Sequence, residues 1–537
     1  MKYFSTRGGG RELSFEETVL TGLAPDGGLY IPVEIPTLPE GWQSKWSTLS
    51  FQDLSLEVLS LYISPSEISR DELSELIRKS YSTFRHPDVT PLKKLSDELF
   101  ILELFHGPTF AFKDVALQLL GNLFEFFLLR RNVGKKAGEP RERLTVVGAT
   151  SGDTGSAAIY GLRNKADISI FILHPKGRVS PIQEAQMTTV SDYNVHNVAV
   201  KGTFDDCQDI VKALFADREF NATHRLGAIN SINWARILAQ TVYYFLAFFH
   251  ARRQLPDSHA VQLQFVVPTG NFGDILAGYY AHRMGLPSAR LVVATNANDI
   301  LARFWRSGRY EKQESDLGVA ASHGVAAPAG GASDGKQADG VKETLSPAMD
   351  ILISSNFERL LWYLAFGASG SNDRNIACAT VSGWMSKVKM DGKVEVPTAV
   401  LELARRDFVA ERISDEQTIE TIRSFYKASP SYIADPHTAV GLAAARLVAL
   451  QNPSSTVQIV LSTAHPAKFS EAVTRALADE AAFSFEQDVL PVEFKGLLER
   501  ERRVIDVDAA DIELVKGVIE SVAQKRREGN SEGGLSV

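Results

Sequence analysis

From residue 99 onward the chain alternates short apolar runs with longer segments whose apolar positions recur every three to four residues. The short runs, at 99–105, 144–149, 169–174, 195–200, 261–267 and 291–295, are mostly aliphatic and β-branched, as buried strands are. Between them the periodic segments at 115–130, 155–164, 182–189, 205–216, 232–251 and 275–284 predict helices. Strand, turn and helix in repeated succession predict an α/β fold built on a parallel sheet with helices on both faces. Each apolar run ends in polar or glycine-rich residues, and ligands of such sheets bind beyond the carboxyl ends of the strands. The chemistry is therefore expected along one edge.

Outside that region the pattern changes. Residues 1–95 read as a self-contained N-terminal domain, with a glycine-rich turn at 26–32 and amphipathic helices near 51–63 and 70–80, and without acid–base chemistry. A first α/β domain is assigned to 96–260 and a larger one to 261–525. Within the larger domain 313–342 is rich in Ala, Gly and Ser, with GVAAPAGGASDG at its centre. Such a tract cannot bury enough apolar surface to offset its ordering entropy, so it reads as a flexible surface insertion. Beyond it helices are predicted at 350–366, 415–428 and 436–450, the last opened by Asp435 and Pro436, and a strand at 457–461. Residues 526–537 form a polar tail.

Composition narrows the function. At 537 residues, 44% hydrophobic and 23% charged, the chain has the make-up of a multidomain globular protein. A net charge of -8 without a long basic run argues against a nucleic-acid surface. Cys207 and Cys378 lie far apart and show no metal-ligand spacing, so neither a metal site nor a disulfide framework is expected, and a reducing cytoplasm fits. No apolar leader opens the chain, and no run approaches the ~18 apolar residues of a membrane span. Whether the chain is a monomer or a homodimer is left open.

Four stretches carry candidate chemistry. In HGPTFAFKD, residues 106–114, Lys113 stands between aromatics where an extended run gives way to a helix. A lysine there can lose hydration and its proton, which makes its amine a nucleophile toward an aldehyde such as pyridoxal phosphate; alone, it reads first as an ordinary first-turn lysine covering the aromatics. In PTGNFGD, residues 268–274, strand, small residues and helix start leave backbone N–H groups around a concavity suited to a phosphate, with Gly270 and Gly273 allowing close approach. ATSGDTGS, residues 149–156, would suit a carboxylate, with Asp153 accepting from an ammonium or a water; it could also be a capped helix with Ser151 or Asp153 as the cap. In STAH, residues 462–465, the Thr463 hydroxyl could face a pyridine nitrogen or cap a helix.

Together, in this number and order, these stretches resemble the threonine synthases, pyridoxal phosphate enzymes of fold type II, the tryptophan synthase β-like class. The resemblance extends to residues 1–10, the run GLAPDGGLYIP at 22–32, GRVSPIQ at 177–183, QMTT at 186–189, NSINWAR at 230–236 and the continuation of STAH to Lys468. It implies two open, mainly parallel sheets flanked by helices, with Lys113 as the Schiff-base lysine, Gly270, Asn271, Phe272 and Asp274 in the cofactor-phosphate segment, and Thr463 partnering the pyridine nitrogen. Ser151, Asp153 and Thr154 would meet the substrate carboxylate, and Asn230, Ser231, Asn233 and Arg236 would edge the site. The implied reaction converts O-phospho-L-homoserine and water into L-threonine and phosphate by γ-elimination and β-addition of water, the last step of threonine biosynthesis. Lys176, Arg178, Lys201 and Arg236 are candidate partners for the substrate phosphate. The alternatives are another fold type II lyase, such as a serine/threonine dehydratase or a phospho-amino-acid lyase, and a non-catalytic relative that binds an anion or a partner.

Overall fold

The computed structural model describes residues 1–136, 139–255, 261–312, 340–371 and 373–532. Fifteen strands are named in chain order: β1 (Tyr3–Ser5), β2 (Tyr30–Pro32), β3 (Leu92–Lys94), β4 (Leu99–Glu103), β5 (Leu144–Ala149), β6 (Ile168–Pro175), β7 (Val195–Val200), β8 (Leu226–Ala228), β9 (Gln262–Pro268), β10 (Leu291–Thr295), β11 (Arg309–Glu311), β12 (Lys393–Glu395), β13 (Phe408–Arg412), β14 (Thr456–Ser462) and β15 (Ile505–Val507). They form a six-stranded sheet in the order β13-β10-β9-β14-β4-β3, a five-stranded sheet in the order β15-β7-β6-β5-β8, and two antiparallel pairs, β1-β2 and β11-β12. Both large sheets are parallel except where β3 runs against β4. The apolar runs from 99 to 295 and at 457–461 are strands as expected.

Register places the site. β14, buried along its whole length, pairs Val460 with Val266 of β9 on one side and with Ile101 of β4 on the other. The chain therefore leaves β9, β14 and β4 at adjacent points on one sheet edge. From β4 it runs through residues 104–112 into the Lys113–Asn132 helix, which is buried on nearly every side, as a helix without a polar face must be. That helix crosses the Asp153–Leu162 helix at two glycines: a Cβ on Gly121 would stand 1.9 Å from the Gly161 carbonyl oxygen, and one on Gly161 would stand 2.6 Å from the Leu117 carbonyl oxygen. Backbone on backbone, the crossing fixes the helix that starts at Lys113 against the helix that starts at Asp153.

Three expectations about organisation need correction. Residues 1–95 are not self-contained: β3 joins the six-stranded sheet, and the module shares one apolar core with the Lys113–Asn132 and Trp234–Gln254 helices. The Tyr3 and Trp234 rings meet at a tilt, 5.7 Å between centres, and Trp42 meets Phe245 edge-on at 5.7 Å. The division at residue 260 does not separate the sheets either, because β4, from the first assigned domain, lies in the six-stranded sheet, and β15, from the second, closes the edge of the five-stranded sheet. Apolar periodicity reports burial, not which sheet a strand joins. Finally, residues 526–532 of the assigned tail continue the Ile512–Glu532 helix.

The helix expected at 350–366 begins only at Phe357. Two further helices, Arg374–Asp391 and Thr398–Asp407, and the strand β13 complete the region after the insertion, which over 313–339 lies outside the described residues. No described helix is long and apolar enough to cross a membrane. Because a methyl at residue 121 has no space that side-chain motion could open, Gly121→Ala is expected to cost about 1–3 kcal/mol of stability, read as a lowered midpoint of chemical or thermal unfolding. An unchanged midpoint would show that the crossing yields.

Candidate active site

The Lys113 turn is built by its own neighbours. The Asp114 carboxylate accepts from the Thr109 N–H and hydroxyl, both at 2.7 Å, which curls residues 109–114 into a helix start. Gly107 makes room for it, since a Cβ there would lie 2.4 Å from the Asp114 Cβ. Phe110 takes a left-handed backbone, φ 59°, and its ring is clamped between His465, Phe494 and the Arg85 guanidinium. An antiparallel bridge between Ala111 and Ala464 then joins this turn to the segment after β14: the Phe112 N–H donates to the Thr463 carbonyl at 2.8 Å, and the His465 N–H to the Phe110 carbonyl at 3.1 Å. Lys113 and the buried Thr463 are thereby neighbours across a backbone bridge. Burial, with help from the nearby positive charges of Lys468 and Arg236, lowers the Lys113 amine to about 8 against the pull of Asp153 and Asp114.

The turn after β9 is a backbone cup. Glycine suits its second residue, because a Cβ on Gly270 would crowd the Ala348 carbonyl oxygen at 3.0 Å. Residues 354–356 line the outside: the Ser354 hydroxyl donates to the Gly270 carbonyl at 2.7 Å, and the Asn356 backbone and side chain both donate to the Asn271 carbonyl. Phe272 adopts φ 62° while its ring packs with Phe357, Trp305 and Phe408. Asp274 turns inward too, held by the Tyr243 and Tyr244 hydroxyls at 2.5 and 2.9 Å. Phe272 and Asp274 thus offer the cup their backbone only. The loop that shapes it, 350–356, is where a helix was expected; its Ser354, Ser355 and Asn356 are turn-forming residues that compete with helical hydrogen bonding, a signal the apolar pattern obscured.

Following β5, the hydroxyl of Thr150 caps the next helix by accepting from Gly152 and Gly155 at 3.0 and 2.8 Å, so neither Ser151 nor Asp153 is the cap. Ser151 is exposed, Thr154 is half-buried, and the Asp153 carboxylate accepts from the Lys468 ammonium at 2.7 Å and from Gln183 at 2.8 Å. Lys468 was missed as a site residue. Its side chain is fully buried, and only its place after a strand-ending Thr-Ala-His hinted at that.

Among the four candidate cations, Lys176, Arg178 and Lys201 are exposed, Lys176 being paired with Asp506. Arg236 alone is inside, 3% exposed, with Nε and Nη1 lacking partners. It stands in the first turn of the Trp234–Gln254 helix, whose Ile237 and Gln240 reach toward Gly273. Asn233, by contrast, faces the N-terminal module through the Val19 carbonyl, while Ser231 meets Ser355 at 3.0 Å beside the cup. Arg359, fully buried, donates to the Tyr30 and Ile232 carbonyls and to Asn356, tying these loops together.

Three family models match the chain: Threonine synthase N terminus over residues 2–81, Pyridoxal-phosphate dependent enzyme over 84–346, and Threonine synthase, C-terminal, over 438–519. The threonine synthase of Schizosaccharomyces pombe is 56% identical over 529 residues, covering 98% of this chain and 99% of that protein. The chain belongs to the threonine synthase family. A crystal structure of the yeast family member superimposes with a TM-score of 0.89 at 52% identity, covering 98% of this chain and 99% of that one. The pyridoxal phosphate-bound threonine synthase of Brucella melitensis gives 0.83 at 40% identity, covering 98% and 100%. As a family member the chain is a fold type II pyridoxal phosphate-dependent lyase that acts on a small molecule. Its residues fit that cofactor: a lysine of lowered basicity with the buried Arg236 guanidinium, which has unpartnered donors, among the charges acting on it, and a glycine-containing turn after β9, in the same sheet as the strand that leads to Lys113. Among the described residues no group of three or more His, Cys, Asp or Glu could hold a metal ion.

Burial raises both Asp114 and Asp274 to about 6. Each group's folded form holds a proton that the unfolded chain has given up above about pH 4, so its stabilising contribution is complete below that value and is lost as pH rises toward 6. Asp274→Asn, which keeps an oxygen for both tyrosines, removes one of the two groups. The melting-temperature advantage of wild type over this variant in the cofactor-free protein should shrink between pH 4 and 6.5; a constant difference would mean that the carboxyl is already ionised at the lower limit.

Proposed function

We propose that this chain converts O-phospho-L-homoserine and water into L-threonine and phosphate, with Lys113 as the lysine that takes the cofactor and moves the protons. The observation that carries the reading is the meeting of Lys113, Thr463 and the Gly270–Asp274 turn at one sheet edge, with the unpartnered Arg236 beside them. The backbone of Gly270, Asn271, Phe272 and Asp274 would hold the cofactor phosphate at a helix start, and the Thr463 hydroxyl would face the pyridine nitrogen. A neutral hydroxyl there leaves that nitrogen largely unprotonated. When bound, pyridoxal phosphate supplies an electron sink for charge developing at the carbons beside the substrate amine.

The chain's own residues do the rest. An amine lowered to about 8 is free base often enough near neutral pH to accept the Cα proton and, once charged, to deliver one at Cγ. Arg236, buried and with unpartnered donors, is the cation we assign to the substrate phosphate, both in binding and as it leaves. Ser151, Thr154 and the first-turn N–H groups of the Asp153–Leu162 helix would receive the substrate carboxylate, with Asp153 acting through its partners and not as a free acceptor. A cytoplasmic location goes with this reading, supported by two buried, unpaired cysteines.

Purified protein given O-phospho-L-homoserine is expected to release threonine and phosphate in equal amounts; 2-oxobutyrate as the main product would favour the dehydratase reading. Lys113→Ala should abolish both turnover and borohydride-stable cofactor attachment. Arg236→Gln should raise KM for O-phospho-L-homoserine by about 10–100-fold, the worth of a hydrogen bond to a charged group. An unchanged KM would move the phosphate contact elsewhere.

A further inference from the structure

Two buried lysines, not one, lie at this sheet edge. Lys468 sits in the turn Pro466–Phe469 shortly after β14, and its ammonium meets the Asp153 carboxylate at 2.7 Å and donates to the Thr109 carbonyl at 2.8 Å. Those partners come from different sheets: Thr109 from the turn that carries β4 into Lys113, Asp153 from the helix that follows β5. Gln186, from the Pro181–Thr188 helix, donates to the same Thr109 carbonyl at 3.3 Å, and Gln183 to Asp153. Burying an ammonium and a carboxylate together costs several kcal/mol in desolvation that only good geometry offsets. A neutral hydrogen-bonding pair could join the two sheets without that cost, so the charge itself has a use here.

We infer that Lys468 is a positioning residue of the reaction: it clamps the Asp153 turn onto the Lys113 turn, and its charge sets the surroundings in which the Lys113 amine works. This deepens the functional reading and rests on Lys113 being the cofactor lysine. Titratable groups facing Lys113 are Asp153, Lys468 and Arg236 from three other elements and Asp114 from its own; those facing Asp153 are Lys468, Lys113 and His437. Removing the Lys468 charge takes away a repulsion on Lys113 and so makes Lys113 more basic. Removing the Asp153 charge acts in the opposite sense.

The test strips the cofactor, follows pyridoxal phosphate re-attachment across pH in wild type and variants, and quantifies borohydride-trapped cofactor at Lys113 by peptide mass spectrometry. Lys468→Met should move the midpoint of the attachment profile up by about one pH unit, and Asp153→Asn should move it down. Lys468→Arg should keep the wild-type midpoint, and the double variant Lys468→Met/Asp153→Asn should fall between the two singles. Midpoints unmoved in both singles, even with activity lost, would reduce Lys468 to a packing role and overturn the inference. If Lys468→Met does not fold, Asp153→Asn decides by the same criterion. Wild-type attachment at a residue other than Lys113 would overturn the functional reading itself, and this inference with it, and that outcome is read separately from any shift of midpoint.

Discussion

The hydrogen-bonded register of β14 between β9 and β4 is the constraint from which the cleft follows. Because Val460 is level with both Val266 and Ile101, the segments leaving the three strands start side by side, and a single further bridge, Ala111 with Ala464, suffices to bring Lys113 next to Thr463. Side chains contribute little to this placement. A parallel register fixes backbone positions before any particular side chain is chosen, which is why the cup can be formed from backbone while Phe272 and Asp274 face the core.

Around that scaffold the charged groups are buried in a graded way. Lys468 and Asp153 are paired with each other, and Asp114 is bonded to the turn it closes. Arg236 has donors to spare, and Lys113 is left with an amine of lowered basicity. Groups already satisfied by the protein hold shape, whereas those left partly unsatisfied are available to a ligand. The same distinction separates Arg359, whose guanidinium is spent on Tyr30, Ile232 and Asn356, from Arg236 two loops away.

Much of this was legible in the chain. Strands and helices from 99 to 295 announce themselves by apolar period, and the turns after β4, β5, β9 and β14 carry residues whose chemistry points to one cofactor. What local pattern could not carry was partnership. Nothing near residues 92–103 says that they lie beside 456–462, so the boundary at 260 was drawn through a structure that ignores it. Thr150 rather than its neighbours caps the helix because only its hydroxyl reaches both Gly152 and Gly155. Lys468 reads as a surface lysine until Asp153 and Thr109, both more than three hundred residues earlier, are seen to enclose it.

The two large sheets differ in how far along the chain their strands are drawn from. β9 and β4 cannot be joined until β14 at 456–462 stands between them, and β7 acquires its outer neighbour only from 505–507. The six-stranded sheet therefore depends on a pairing of long sequence separation, whereas β5 to β8 of the other sheet pair among themselves. Pairings of such long sequence separation are slow to form and leave strand edges bare while they are missing. A truncation that removed β14 would therefore split the six-stranded sheet while sparing both Lys113 and the turn after β9.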